Sequence, residues 1–498
     1  MLGSHEGRQP IGRATVHVAI VVSLGFVLLA VAAGYWGVIA AADLVRSPSD
    51  AAVIAASRTV PRGLIRDRAG KILADNKLDP NGEMYRVYAG KAISQVIGYA
   101  SSVYGRAGLE RAYDAELTGL TDDPLTDALA KFGADRYDPK DLSLSLSNEL
   151  QKAGVAALGK RRGAVVMLDP RNGDVLALAS TPTYDASGIA DPTTARDTFE
   201  AIQADPDLPL LPRATLGRYV PGSVFKIVTA IAALGSGAIN ATTTYKEQPG
   251  SEKRGLLVEG FRVRDGHHPS TGSTALDLIG ATEVSCNIYY ALAGLDTGGK
   301  DLVAYANRMG FGSPLPFDLP TAVSQVTNGD GPEPGGFTDD VELANASYGQ
   351  AEAFVTPLQM ALVAATVAND GELMRPRLVT AITGERDGTT AVAPGSMGRI
   401  LSVADARDIN AAMVRAVEGA LGQQFTTGAK VPGVTTAGKS GTAELGGSGE
   451  PHSWFIGFAP AEDPTIAIAV LVEQSGRGGE VAAPIAGDLM TLYLQGLR

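Results

Sequence analysis

A serine stands three positions before a lysine in the stretch PGSVFKIV, at Ser223 and Lys226. Pro221 and Gly222 precede the serine and mostly apolar residues follow it, which is typical of a turn that leads into a buried helix. Residues three apart share a helix face, so the amine can reach the hydroxyl. Burial disfavours the ammonium ion, and a serine needs such a base to become a nucleophile. The pattern indicates a nucleophilic serine, although chance alone supplies about one such spacing per chain of this length.

Two further short motifs follow in the chain. SCN occupies residues 285–287, and KSGT occupies residues 439–442 on a predicted strand. Each is common by itself, since S-x-N triplets and polar strand ends occur in many proteins. All three motifs in this order, one at a helix start and one on a strand, are much rarer. Together they favour a serine-based active site.

Composition excludes several classes of function. The chain has 498 residues and a formal net charge of -12, and no basic face is visible, so we expect no nucleic acid partner. The single cysteine, Cys286, excludes an intramolecular disulfide and is expected to pack as a small residue. The histidines form no metal-ligand pattern, so we expect neither a metal nor a cofactor. They are His5, His17, His267, His268 and His452.

An apolar stretch near the N-terminus predicts a membrane anchor. Residues 16–42 contain no Asp, Glu, Lys or Arg. At a rise of about 1.5 Å per residue, such a helix spans roughly 30 Å of hydrocarbon. Arg8 and Arg13 precede the stretch and Asp43 follows it, which favours a cytoplasmic N-terminus. A cleaved signal peptide is the alternative, but the stretch is longer than the apolar region of most signal peptides.

The rest of the chain predicts an α+β protein in which helices pack on an antiparallel sheet. Apolar alternation and the Asn172-Gly173 turn predict strands. These strands lie at residues 142–146, 163–180 (a hairpin), 434–445, 453–460 and 465–474. Helices are predicted at residues 147–160, 223–237, 355–370 and 484–497. The polar segment 185–211 predicts a loop.

The three motifs, taken with the residues upstream, resemble a known family. S-x-x-K, S-x-N and K-[ST]-G are the signature of penicillin-binding proteins and serine β-lactamases. RGLIRDRAGKILA and GLERAYDAELTG resemble the pedestal motifs of class B penicillin-binding proteins, and residues 163–185 resemble the entry to their transpeptidase domain. The resemblance covers nearly the whole chain from Arg62 onward. The length and the lack of C-terminal modules are similar to the actinobacterial PbpA group.

The resemblance implies a mechanism for crosslinking peptidoglycan. Ser223 would attack the penultimate D-Ala carbonyl of a stem peptide ending in D-Ala-D-Ala, and Lys226 would accept the serine proton. Ser285 would pass a proton to the leaving amine, and Asn287 would orient Lys226 and the substrate amide. β-Lactams would acylate Ser223 and stall there. The implied substrate-binding residues are Lys439, Ser440, Gly441 and Thr442, with the backbone N–H groups of Ser223 and Thr442 as the oxyanion hole.

The resemblance also implies a domain plan. Residues 1–15 would be a cytoplasmic tail, residues 16–42 a transmembrane anchor, and residues 43–160 an elongated pedestal similar to a dimerisation domain. Residues 161–498 would form a transpeptidase domain of the β-lactamase-like fold, outside the cytoplasmic membrane. A SEDS-type glycan polymerase in the membrane is the implied protein partner.

Other functions remain open at this point. A D,D-carboxypeptidase would use the same acylation with water as acceptor, although the pedestal motifs argue against it. A β-lactamase is disfavoured because no E-x-x-x-N stretch follows SCN to activate a deacylating water. A non-catalytic binding protein is a further alternative, either a β-lactam sensor or a division scaffold. The three intact motifs disfavour a scaffold, and the predicted cytoplasmic tail, residues 1–15, leaves no space for the signalling domain of a sensor. Labelling with fluorescent penicillin distinguishes the scaffold from the enzymes.

Overall fold

The computed structural model describes residues 61–79, 81–119, 138–265, 274–422, 426, 428–446 and 449–497. The predicted tail and the predicted anchor at residues 16–42 lie outside this range. Among the helices within it, none has the length and apolar character that crossing a membrane requires.

Strands and helices are interspersed throughout the described residues. The strands are β1 Ile65–Arg66, β2 Ile72–Leu78, β3 Met84–Tyr88, β4 Ala100–Ser101, β5 Gly105–Arg106, β6 Asp141–Leu144, β7 Gly163–Leu168, β8 Val175–Thr181, β9 Leu256–Val258, β10 Phe261–Val263, β11 Glu372–Met374, β12 Val379–Gly384, β13 Gly388–Ala391, β14 Ser396–Arg399, β15 Ala437–Ala443, β16 His452–Ala459 and β17 Ile466–Val472. The α-helices are α1 Ser94–Ile97, α2 Gly108–Ala112, α3 Asp114–Thr118, α4 Asn148–Leu158, α5 Ala186–Ala190, α6 Ala195–Gln203, α7 Arg213–Leu216, α8 Lys226–Ser236, α9 Gln248–Arg254, α10 Leu278–Glu283, α11 Asn287–Arg308, α12 Asp340–Ala346, α13 Pro357–Ala368, α14 Val403–Glu418 and α15 Ala482–Leu494.

A five-stranded antiparallel sheet lies at the centre of the larger domain, in the order β15-β16-β17-β7-β8. The inner strands β7 and β17 are apolar throughout, β16 is apolar from Trp454 onward, and successive side chains point to opposite faces. In β7, Val166 and Leu168 belong to one apolar core, whereas Val165 and Met167 belong to another. The sheet therefore has a hydrophobic layer on each side.

Helices cover both faces of this sheet. On one side, α8 and α13 contribute to the core that contains Val166, through Ile227 and Met360. On the other side, α4 and α15 contribute Leu150 and Leu489. This arrangement confirms the predicted antiparallel sheet flanked by helices. The turn Gly222–Phe225, which contains Ser223 and leads into α8, packs against β15 and β16 of this sheet.

A second sheet has the order β13-β12-β6-β1-β2-β3. The β12–β13 hairpin, residues 379–391, joins it from far along the chain, so this sheet contains residues from both sides of the predicted boundary at 160. Beside it, the buried carboxylate of Glu110 pairs with Arg62 at 2.9 Å and Arg86 at 2.6 Å. A buried carboxylate requires such partners, so this ion group ties the first pedestal motif to the second.

Most predicted elements are present, with one exception. The strands at residues 163–180 and in the C-terminal part, and the helices after Ser223 and near the end, are confirmed. The loop predicted at 185–211 is wrong, because α5 and α6 lie there. Asp185 caps α5 by accepting a hydrogen bond from the Gly188 N–H at 3.0 Å. Phe199 of α6 stacks on Tyr104 with ring centroids 4.1 Å apart.

Candidate active site

Ser223 lies in a short 3-10 turn, Gly222–Phe225, that leads directly into α8. Gly222 has a φ of 56°, in the left-handed region that glycine adopts without strain. The turn packs against the edge strand β15, where a Cβ on Gly441 would lie 3.0 Å from the Pro221 carbonyl oxygen. The glycine of the KSGT motif therefore permits the close approach that brings the serine turn to the sheet edge.

Lys226 is the first residue of α8, and its side chain is fully buried. Its Nζ lies 3.0 Å from the Ser223 Oγ and 3.0 Å from the Ser285 Oγ. Two carbonyl oxygens are closer still, the Ser285 backbone oxygen at 2.6 Å and the Asn287 Oδ1 at 2.7 Å. The S-x-x-K and S-x-N motifs thus converge on one amine, as the resemblance implied for Asn287 and Lys226.

The surroundings of Lys226 make it a usable base. Burial lowers the pKa of Lys226 to about 8, because the ammonium ion loses its hydration. The negative charge of Asp265 acts in the opposite direction and limits this decrease. With a pKa near 8, about one molecule in ten carries a neutral amine at pH 7.

Ser285 lies in a tight turn between α10 and α11, with a φ of 59°. A residue with a Cβ pays roughly 1–2 kcal/mol for this left-handed conformation. The turn directs both the hydroxyl and the carbonyl oxygen of Ser285 at Lys226. Cys286 then caps α11, since its Sγ accepts a hydrogen bond from the Tyr289 N–H at 3.4 Å.

The KSGT motif completes the cluster from β15. Lys439 is buried, and its Nζ lies 2.9 Å from the Ser285 Oγ and 2.9 Å from the Ser440 carbonyl oxygen. Burial, and then the nearby charge of Lys226, lower the pKa of Lys439 well below its ordinary value. Ser440 and Thr442 share the other face of the strand, where the Thr442 side chain is exposed. Five of the eight residues predicted for the site are joined by direct contacts, namely Ser223, Lys226, Ser285, Asn287 and Lys439. Ser440, Gly441 and Thr442 follow Lys439 on β15, beside the serine turn.

Asp265 is a residue of this region that the sequence interpretation missed. One of its carboxylate oxygens accepts a hydrogen bond from the Asn287 N–H, and the other lies 3.1 Å from the Cys286 Sγ. Cys286 is thus hydrogen-bonded as well as packed. Within the described residues, Glu252, Asp265 and Cys286 place potential metal-ligand atoms within 4.8 Å of one another. The metal prediction considered histidines only, of which His267 and His268 lie outside the described residues.

Comparison with known proteins identifies the family to which this site belongs. The penicillin binding protein transpeptidase domain matches residues 163–491. The chain belongs to this family. The penicillin binding protein A dimerisation domain matches residues 62–137, in the region of the pedestal motifs. The predicted resemblance to penicillin-binding proteins is therefore confirmed for both domains.

The similar proteins include relatives from mycobacteria. Peptidoglycan D,D-transpeptidase PbpA of Mycolicibacterium smegmatis is 36% identical over 492 residues, which cover 94% of this chain and 96% of the relative. PbpA of Mycobacterium tuberculosis is 34% identical over 504 residues, which cover 96% of this chain and 98% of the relative. The predicted similarity to the PbpA group is confirmed.

Solved structures of penicillin-binding proteins are similar over most of the chain. The imipenem acyl-enzyme complex of penicillin-binding protein A from M. tuberculosis has a TM-score of 0.77 and 32% identity, and covers 88% of this chain and 99% of that one. Pseudomonas aeruginosa PBP2 in complex with WCK 5153 has a TM-score of 0.73 and 30% identity. The match covers 87% of this chain and 96% of that one.

Proposed function

We propose that this protein is a serine D,D-transpeptidase that crosslinks peptidoglycan stem peptides through an acyl-enzyme on Ser223, and that β-lactams acylate the same residue. The observation that carries the proposal is the buried Lys226 amine, 3.0 Å from the Ser223 Oγ. Support comes from relatives named as D,D-transpeptidases and from similar structures that are β-lactam acyl-enzymes.

The hydrogen-bond partners of the Lys226 amine support its role as the base. A neutral amine has two N–H donors and one lone pair. The Ser285 carbonyl oxygen and the Asn287 Oδ1 can only accept, so they take the two donors at 2.6 and 2.7 Å. The lone pair is then free to accept the proton of the Ser223 hydroxyl. Asn287 therefore orients Lys226 by fixing where its lone pair points.

Ser285 is placed to complete the proton transfer. As the bond from the Ser223 oxygen to the carbonyl carbon forms, the serine proton moves to Lys226. The resulting ammonium can donate to the Ser285 Oγ at 3.0 Å, and Ser285 passes its own proton to the leaving nitrogen as the C–N bond breaks. The acceptor amine of a second stem peptide then attacks the ester carbonyl by the reverse sequence.

The residues of β15 would hold the substrate carboxylate. A carboxylate beside Lys439 would favour the charged form of that lysine, whose pKa is lowered by burial and by Lys226. The hydroxyls of Ser440 and Thr442, on the other face of this edge strand, would reach the same carboxylate across the strand edge. The backbone N–H groups of Ser223 and Thr442 are the proposed oxyanion hole, which acts when negative charge develops in the transition state.

Four further features are proposed for this chain. Residues 16–42 would anchor the protein in the membrane, residues 43–160 would form the pedestal, and residues 161–498 would form an extracytoplasmic transpeptidase domain. A SEDS-type glycan polymerase would supply the glycan strands. Loss of membrane association on deletion of residues 1–42 would support the anchor.

Product analysis separates transpeptidation from carboxypeptidation. We expect the purified protein, given a D-Ala-D-Ala stem peptide and an amine acceptor, to release D-Ala and to form the crosslinked dimer. Both products are measured by mass spectrometry, with the Ser223→Ala variant as the control for background hydrolysis. Release of D-Ala without crosslinked product over a range of acceptor concentrations would favour the carboxypeptidase instead.

Substitutions of Ser285 should separate its catalytic and structural effects. Both Ser285→Ala and Ser285→Gly remove the hydroxyl, so we expect acylation by penicillin to slow by about 10²-fold or more. Glycine also adopts the left-handed conformation of residue 285 without strain. The strain energy that is relieved exceeds the extra conformational entropy that glycine loses on folding. The glycine variant should therefore be the more stable of the two, by up to about 1 kcal/mol in urea unfolding. Wild-type acylation rates in both variants would exclude the proton relay.

A further inference from the structure

The loop that joins β17 to α15, residues 473–481, passes over the start of β16 and reaches β15. The backbone N–H groups of its first residues hold it in place. The Gln474 N–H donates to the His452 Nδ1 at 3.1 Å, and the Ser475 N–H donates to the Pro451 carbonyl oxygen at 3.0 Å. The 473–481 loop is therefore fixed next to the end of the KSGT motif.

A buried serine holds the second half of the same loop. Ser453 in β16 is fully buried, and its Oγ accepts a hydrogen bond from the Ala482 N–H at 3.0 Å. The same hydroxyl donates to the Arg477 carbonyl oxygen at 3.3 Å. These two contacts lie on either side of Gly478, so they determine how closely that residue approaches the sheet.

Gly478 touches the backbone of the sheet itself. A Cβ at this position would lie 2.2 Å from the Gly441 carbonyl oxygen and 2.4 Å from the Trp454 carbonyl oxygen, distances that real side chains do not reach. No other residue type fits without moving the loop. Because Gly478 lies this close to β15, its N–H donates a hydrogen bond to the Thr442 Oγ1 at 3.3 Å.

We infer that Gly478 is a positioning residue. It orients the Thr442 hydroxyl so that this hydroxyl can donate a hydrogen bond to the substrate carboxylate. The Gly478 N–H occupies one lone pair of the Thr442 oxygen, so the hydroxyl proton points away from the loop. Since the Thr442 side chain is exposed on the face it shares with Ser440, that proton is available to a bound carboxylate. This inference rests on the proposed function, because it specifies how the enzyme recognises the free carboxylate of stem peptides and β-lactams.

The test compares a penicillin with its methyl ester, which lacks the charged carboxylate. Acylation rate constants are measured for the wild type, Gly478→Ala, Thr442→Val and the double variant. A hydrogen bond to a charged group is worth enough to change a rate by about 10-fold or more. We expect both single variants to slow acylation by the acid by about that factor, with little change for the ester. The double variant should be no slower than Thr442→Val, because Gly478 acts through that hydroxyl.

Ser453→Ala provides a second variant in case Gly478→Ala does not fold. It leaves Gly478 and Thr442 in place but removes the hydroxyl that holds the loop, so the ratio of acid to ester rates should fall by about 3-fold. Unchanged ratios in Gly478→Ala and Ser453→Ala, equal losses with acid and ester, or additive losses in the double variant would overturn the inference. Failure of the proposed function is distinct, because the wild type itself would then not be acylated by penicillin.

Discussion

Replacing Ser223 with alanine should abolish covalent labelling of the protein by fluorescent penicillin, while the wild type labels strongly. The expected loss exceeds about 10⁴-fold, because no other hydroxyl replaces a missing nucleophile in the same position. Labelling is measured by in-gel fluorescence after denaturation, which retains only covalent adducts.

Ser236→Ala is the matched control for this experiment. Ser236 ends the same helix, α8, and is only partly buried, with its Oγ 3.3 Å from the Ala233 carbonyl oxygen. The substitution removes a serine hydroxyl from α8 and leaves Lys226 and its contacts in place. We expect this variant to label like the wild type. Equal labelling of Ser223→Ala and Ser236→Ala would mean that another residue is the nucleophile.

Replacing Lys226 with alanine should slow acylation by about 10²- to 10⁴-fold, the usual contribution of a general base. The wild-type rate should also depend on pH in a way that identifies this lysine. Burial lowers the pKa of Lys226 to about 8, so below that pH only a decreasing fraction of the amine is neutral and can act as a base. The acylation rate should therefore rise about tenfold per pH unit up to pH 8 and then level off.

Both measurements are made by stopped-flow with a chromogenic β-lactam. Lys246→Ala, which removes an exposed lysine, serves as the control for a general change of charge. A melting temperature close to that of the wild type shows that Lys226→Ala is folded. A rate that stays constant from pH 6 to pH 9, or a Lys226→Ala variant acylated at the normal rate, would exclude Lys226 as the base.

The sequence allowed the site to be predicted because its chemistry is concentrated in three short motifs. The spacing of Ser223 and Lys226 follows directly from helix geometry, and their contact is local. The contact of Lys226 with Asn287 is not local, and it was inferred from the resemblance to a family. The contact of Ser285 with Lys439 is not local either, and it was not predicted. Periodicity alone would have left the three motifs unconnected.

Elements that depend on long-range pairing were not predictable from the sequence. The β12–β13 hairpin joins a sheet whose other strands lie more than two hundred residues earlier, and no local pattern specifies that pairing. Asp265 lies in a polar stretch without periodicity, so its contact with the start of α11 depends on tertiary structure. The Gly478 contact with β15 likewise requires β16 and β17 to be in place.

The loop predicted at residues 185–211 shows a different limit. Its aspartates and prolines favoured a loop, but Asp185 acts as a helix cap, a role that aspartate also favours. Phe199 and Tyr104 then pack together across the two domains, which stabilises α6 more than its polar composition suggested. A capping residue followed by spaced apolar residues was the signal in the sequence.

The most direct test of the account is to locate the acyl group itself. Wild-type protein is incubated with penicillin G, digested with a protease and analysed by tandem mass spectrometry. We expect a single adduct, on Ser223, in the peptide that also contains Lys226. An adduct on Ser285, on Ser440 or on any other residue, with Ser223 unmodified, would contradict the central claim.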